Sequence, residues 1–359
     1  MRRVLSFFIR RSAAAVFTVL AMITLTFVLF WTIPSTPATF VYPYSQHLTS
    51  YQIHRSNQIL GLDRPKVVQV ASYVWHIARG DFGTAWRGVT VNGDQQVVGT
   101  AVGPPLFAAT AVTASIVAGG AVLVLLLALP LGAVAGRLEG SPVDRAISLL
   151  TLIGICTHPM IIGLILRTVF GDNLHLLPAG GYCHLWPHAG VSSGTDYSVT
   201  CNGPVPWAEH LILPWVSFAF LFVALYTRMS RASVLETLHE DFVRTARAKG
   251  AGETRVLARH VLPNAGLRVL TMIGMEIGTA LGICIYIESA FGMPGLGRLA
   301  VTVMFSTVDL PQILAVVTMI TVVVVVGNVV VDTLYAIVDP RAGESLRARR
   351  STRATGVLL

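Results

Sequence analysis

Between Asp241 and Pro263 the sequence reads DFVRTARAKGAGETRVLARHVLP, with Arg244, Arg247, Lys249, Arg255 and Arg259 as its cations. Arg244 and Arg247 stand three residues apart, so on a helix they occupy neighbouring turns of one side. Such side chains make no covalent chemistry by themselves. They pair with carboxylates and carbonyls of another protein, or with anionic lipid headgroups. Two further sets carry chemical potential. Glu276 is a carboxylate in the middle of an apolar stretch, where it serves either a polar translocation path or a hydrogen bond between packed helices. Cys183 and Cys201 lie in one Gly-, Pro- and Ser-rich segment with His184 and His188 close by. These residue types allow a disulfide or a metal site, and the disulfide is the reading preferred. The sequence contains no G-x-x-x-x-G-K-[ST], no HExxH and no G-x-S-x-G. The chain is therefore read as non-catalytic, with no resident metal or cofactor.

The elements that must position these residues are membrane spans. The 359 residues are 53% hydrophobic and only 12% charged, about half the charge of a soluble domain. The net charge of +8 does not point to nucleic acid, because the cations cluster in segments beside apolar runs. About 20 apolar residues cross a bilayer, and six stretches qualify: 12–33, 107–136, 146–170, 209–229, 268–288 and 313–338. The first lies behind Arg2, Arg3, Arg10 and Arg11 and ends at Trp31 and Pro34 without a small-residue cleavage site, so it reads as an uncleaved signal anchor. With residues 1–11 inside, the segments 1–11, 137–145, 228–268 and 339–359 carry nineteen Arg and Lys, against six on the opposite side. Both termini are then cytosolic, residues 339–359 form a cytosolic tail, and 230–267 is a cytosolic loop. The loop 171–208 faces an oxidising compartment, which favours the Cys183–Cys201 disulfide.

In the outer segment 34–106, Pro65 can open a helix that runs to Ala78 and stops at Gly80 and Gly83. Trp75 and Trp86 suit a helix lying along the membrane interface. Within the spans, Pro130 and Pro159 are expected to kink their helices. Gly132 with Gly136, and Gly274 with Gly278 and Gly282, are expected to mark close helix packing. Cys156 and Cys284 read as buried apolar fillers, and Arg167 as a structural residue that snorkels outward.

The basic loop resolves into a short helix from Asp241, a break at Gly250–Ala251–Gly252, and a second short helix from Glu253 to Pro263. Gly250, nine residues, then HVLP ending at Pro263 resembles the EAA motif of ATP-binding cassette importer permeases, with Arg244, Thr245 and Ala246 at its first three positions. DFVRTARAKG is similar to the version in the dipeptide, oligopeptide and nickel branch. RRVLSFFIRR, LGLDRP, RGDFGTAW, LHLLPAGGY, ESAFGMPGLGRL and VDTLYAIVDPR look, in this order, like the first (B-type) permease of such systems. The chain departs from that pattern in its long 171–208 loop and in Glu276, where the family more often has a neutral amide.

The resemblance implies an all-α integral membrane protein with six transmembrane helices in the type I importer permease (MetI-like) fold, in a bacterial inner membrane. It implies a second similar permease, two cytosolic ATPase subunits that bind ATP and Mg, and an extracytoplasmic solute-binding protein as partners. The implied cargo is a di- or oligopeptide, with nickel complexes or haem as alternatives. Asp241, Phe242, Arg244, Thr245, Ala246, Arg247, Lys249, Gly250 and Pro263 then belong to an ATPase-coupling element, and Glu276 to the path. A secondary transporter working alone, or a membrane scaffold, remains the rival class. The first calls for inverted repeats and coupling-ion carboxylates; the second has no need of the EAA-like spacing.

Overall fold

Prolines and glycines set where this chain starts and stops its helices. The computed structural model describes residues 2–31, 49–59, 62–86, 90–91, 97–98, 100–185, 198–201, 203–307 and 309–338. Helix α1 (Arg2–Trp31) is followed by α2 (Ser50–Ile59) and α3 (Lys66–Ala78). A small antiparallel pair, β1 (Thr90–Val91) and β2 (Val97–Val98), leads to α4 (Gly103–Arg137). Next come α5 (Pro142–Cys156) and α6 (Pro159–Leu166), the latter widening into a π-helical turn at Arg167–Asn173. The strands β3 (Tyr182–His184) and β4 (Ser198–Thr200) pair in parallel before α7 (Pro204–Leu238). The remainder is α8 (Asp241–Ala248), α9 (Glu253–Val256), a π turn at Leu257–Val261, α10 (Leu262–Met275), α11 (Ile277–Phe291), α12 (Leu296–Thr302) with a π turn at Val303–Thr307, and α13 (Leu310–Val338).

Helices α4 and α7 are the frame. Each has 35 residues, so each is about 52 Å long and outreaches a hydrocarbon layer of roughly 30 Å. Their contact buries Val112 and Ile116 of α4 against Leu211, Phe218, Phe222 and Tyr226 of α7, and α11 adds Cys284, Ile287 and Phe291 to the same core. Gly132 and Gly136 make the approach possible. A Cβ at Gly132 would overlap the Ser230 side chain and the backbone at Arg231, and one at Gly136 would fall 2.8 Å from Val234. The packing expected of these two glycines is present, against α7. Gly278 and Gly282 differ: nothing in the chain comes within 4 Å of the place their Cβ atoms would take, so they open α11 rather than pack it.

Several boundaries differ from the sequence reading. The stretch 146–170 is not one kinked span, because α5 and the α6 segment through Asn173 meet at 98°. His158 caps the second piece by accepting from Met160 N at 3.2 Å, and Pro159 occupies its first position. Proline there starts a helix rather than bending one. Pro130, in contrast, lies inside the continuous α4. The stretch 268–288 is likewise not one helix, since the chain breaks at Glu276 between α10 and α11, and α11 and the α12 segment through Phe305 meet at 79°. The span 209–229 extends at both ends into α7. By length and composition three helices among the described residues can cross a membrane alone, or five if each bent pair counts as one crossing; Ala13–Leu29 of α1 is a shorter apolar segment. Trp75 is exposed, with the Arg79 guanidinium 4.4 Å above its ring, whereas Trp86 is buried. Cys284 is buried, whereas Cys156 is exposed and fills no core.

One polar clamp ties the α4–α5 turn to α7. Arg231 donates from Nε and Nη2 to the Asp144 carboxylate at 2.6 and 2.8 Å, and Gly140 N donates to Asp144 at 3.0 Å. Arg231 and the Gly140 amide hold the Asp144 carboxyl down to about 2 from its usual 3.8. A depressed carboxylate stabilises the fold above its unfolded pKa and loses that contribution as pH falls through the folded value. We expect Asp144→Ala to cost roughly 1–3 kcal/mol at pH 7, from the unsatisfied guanidinium. The stability gap from wild type should close between about pH 4 and pH 2. Thermal melts in detergent across that range read both effects; a gap that stays constant down to pH 2 would contradict the clamp.

Candidate functional site

Helix α7 leads directly into the basic loop. It ends at Leu238, and Glu240 turns the chain with extended backbone into α8. One side of α8 is pinned. Val243 is fully buried among Ala133 of α4, Val234 of α7, Val256 of α9, Val261 and Ala265, with Ala246 half-buried beside it. The other side is open: Asp241, Phe242, Arg244, Thr245, Arg247 and Lys249 are all exposed. Thr245 spends its hydroxyl on the Asp241 carbonyl at 2.9 Å, and the Arg244 guanidinium approaches the Asp241 carboxylate only to 4.0 Å.

The elbow after α8 is a left-handed helix end. Gly250 has φ +81°, its N–H donates to the Arg247 carbonyl at 2.9 Å, and the Ala251 N–H donates to the Ala246 carbonyl at 3.1 Å. This backbone closes the orphan carbonyls of α8, and glycine adopts it without strain. No neighbour crowds the position, so φ alone selects the residue. Across the elbow Arg247 grips Glu253 with Nε at 2.8 Å and Nη2 at 3.2 Å, and the contact lowers the Glu253 carboxyl pKa. Arg247 is thus an internal brace.

Pro263 also plays another part than the sequence implies. It does not end the second helix, which continues from α9 through the π turn into α10 and reaches Met275. Proline removes one backbone donor, and the preceding π turn absorbs the mismatch. Arg268 of α10 meets Glu236 of α7 in an exposed ion pair, so the second helix leans on the frame as the first does.

Glu276 sits at the break between α10 and α11 with φ −97° and ψ 3°, half-buried. On the outer side the Cys183 and Cys201 sulfurs are at bonding contact, with Cα atoms 5.2 Å apart, joining β3 to β4. His184 is buried edge-on to Tyr182, and His188 lies outside the described residues. Among the described residues no three His, Cys, Asp or Glu side chains gather as a metal site would need. Arg167 donates to the Ala290 carbonyl at 2.7 Å, a structural use.

The sequence reading missed Glu288. Its carboxylate is wholly buried and accepts from Thr113 Oγ1 at 2.6 Å and from Arg298 N at 2.9 Å, while Thr113 Oγ1 also accepts from Leu296 N at 2.8 Å. The pair caps the start of α12 and bolts it to α4. A Cβ at Gly295 would land on that carboxylate. The signal was present in ESAFGMPGLGRL, where an acid precedes a glycine-rich helix start by seven or eight residues.

These features define a class: a membrane protein of several long apolar helices with a short, half-exposed helix α8 packed at the end of its frame. Residues 128–344 match the family described as "Binding-protein-dependent transport system inner membrane component", and residues 4–88 match the N-terminal segment of the same kind of transport component. The chain belongs to that family. It is 32% identical over 338 residues to the oligopeptide transport system permease protein AppB of Bacillus subtilis, covering 94% of this chain and 98% of AppB. It is 30% identical over 340 residues to the "Probable D,D-dipeptide transport system permease protein DdpB" of Escherichia coli, covering 93% of this chain and 96% of DdpB. The fold is accordingly the MetI-like membrane fold, and the protein is a multi-pass component of a bacterial inner membrane. It is a permease subunit of an ATP-binding cassette transport system and not itself an enzyme; ATP hydrolysis belongs to partner ATPases.

The outer loop yields a direct test. Non-reducing digestion and mass mapping of the protein purified from its membrane should recover a Cys183–Cys201 crosslinked peptide. Alkylation of both thiols without prior reduction would show the pair to be open.

Proposed function

We propose that this chain forms one half of the translocation path of an ATP-driven peptide importer and receives the ATPase stroke through α8. The topology follows the charge distribution, with six crossings and both termini cytosolic. A second, similar permease completes the path, an extracytoplasmic binding protein delivers di- or oligopeptides, and two cytosolic ATPase subunits seat α8 in a cleft. Peptide as cargo is supported by the names of the relatives and the near full-length similarity to them. Nickel complexes and haem remain the alternatives that the family branch offers.

The observation that carries the coupling role is the two-sided build of α8. Val243 locks one side to α4 and α7, while Phe242 and Arg244 stand exposed at the other. A loop serving only as a lipid-surface anchor has no need of a braced elbow, and neither does a secondary transporter. Force on Phe242 reaches the frame through the fully buried Val243 beside it, to which the exposed pairs Arg247–Glu253 and Arg268–Glu236 add little.

Gly250→Val tests this. A β-branched residue is strained at φ +81°, so the elbow should open while insertion, which touches no span, is kept. We expect the purified complex to lose ATPase subunits or peptide-stimulated hydrolysis, with uptake down at least tenfold. Lys249→Gln should change either readout less than twofold, since exposed ion pairs contribute about 0–1 kcal/mol. The opposite ranking, with charge loss damaging and Gly250→Val silent, identifies the loop as a lipid-surface anchor.

A further inference from the structure

Spans that face lipid in this chain announce it by their exposed residues. Leu126 of α4, Leu149, Leu150, Leu152 and Ile153 of α5, and Val326 and Val330 of α13 are all open and all apolar. Helix α11 breaks the rule. Its open side carries Gly278, Thr279, Gly282, Tyr286 and Ser289. Tyr286 is met edge-on by the exposed His158, 4.5 Å away at the bend between α5 and α6. At the inner end of this stripe, at the helix break, stands Glu276. A carboxylate at such depth is expensive against hydrocarbon and is kept only where water, a partner or a cationic ligand meets it. The two glycines beside it leave space that nothing in the chain fills.

Resting on the peptide-importer reading, we propose that Glu276 is a specificity-determining residue of the path, which receives the ammonium group of the cargo, above all the protonated amino terminus of a peptide. The geometry suits that role. The carboxylate is anchored on a backbone break rather than on a mobile loop. The Gly278–Gly282 side lets an extended chain run along α11, with Thr279, Tyr286 and Ser289 available to its amides. A fixed negative charge of this kind attracts a cation and disfavours a peptide whose amino terminus has been neutralised.

The test uses the complete transporter, with both permeases, the ATPases and the binding protein, in proteoliposomes. Uptake is measured for a tripeptide and for its N-acetylated form, with wild type, Glu276→Gln and Glu276→Leu. Binding of both peptides to the isolated binding protein is measured separately, so that its own preference is divided out. The corrected wild-type preference for the free amine should fall at least tenfold in Glu276→Gln, with all subunits still copurifying. An unchanged preference overturns the proposal. Loss of the second permease from Glu276→Gln or Glu276→Leu overturns it in another way, by making Glu276 an interface residue. If wild type imports neither peptide, the peptide-importer reading itself fails, and this inference with it.

Discussion

The approach of α4 to α7 at Gly132 and Gly136 is the constraint on which the α8 end of the molecule depends. Because Gly132 lets the α7 backbone come in at Ser230 and Arg231, the Arg231 side chain is aimed across the α4–α5 turn at Asp144. Because Gly136 admits Val234, that valine lies next to Ala133 and makes the floor on which Val243 sits. A larger side chain at either glycine would move the floor and the clamp together. The seam thus does more than join two helices: it sets the height and tilt at which α8 sits on the frame.

How much of this was legible in the sequence depended on whether the deciding force was local. Apolar runs located the long helices α4, α7 and α13, since burial in hydrocarbon is a property of composition over about 20 residues. Gly250 was legible for the same reason, since a left-handed turn is a one-residue requirement. Pro159 and Pro263 were not. A proline at the first position of a new helix and a proline accommodated behind a π turn look alike in sequence, and only the surrounding packing decides between a 98° corner and a continued helix. The break at Glu276 had no sequence marker at all, because no glycine or proline sits at that position. Likewise Arg247 reads as a free cation until Glu253, six residues on, is brought back by the elbow between them.

The outer half follows a different logic, in which buried polar groups replace small residues as the fasteners. Thr113 of α4, Glu288 of α11 and the first amides of α12 form one closed set of hydrogen bonds. A helix start buried without such partners would leave several N–H groups unsatisfied in a dry environment, at about 1–3 kcal/mol each. Glu288 therefore fixes the 79° corner after α11, and the corner brings Phe291 against the 180–181 backbone, where Gly181 N donates to the Phe291 carbonyl at 2.9 Å. The long loop that holds Cys183 and Cys201 is thus attached to the same corner as α11.

These two fastenings give the two carboxylates of α11 opposite characters. Glu288 has every neighbour it needs within the chain, from a hydroxyl to the amides of a helix start, and its burial is complete. Glu276 lies twelve residues away, roughly 18 Å of helix rise, beside open glycine positions. Composition cannot separate them, since both read as single acids in one apolar stretch. Packing does: Glu288 is fully satisfied and holds the fold, whereas Glu276 is left half-open at a helix break.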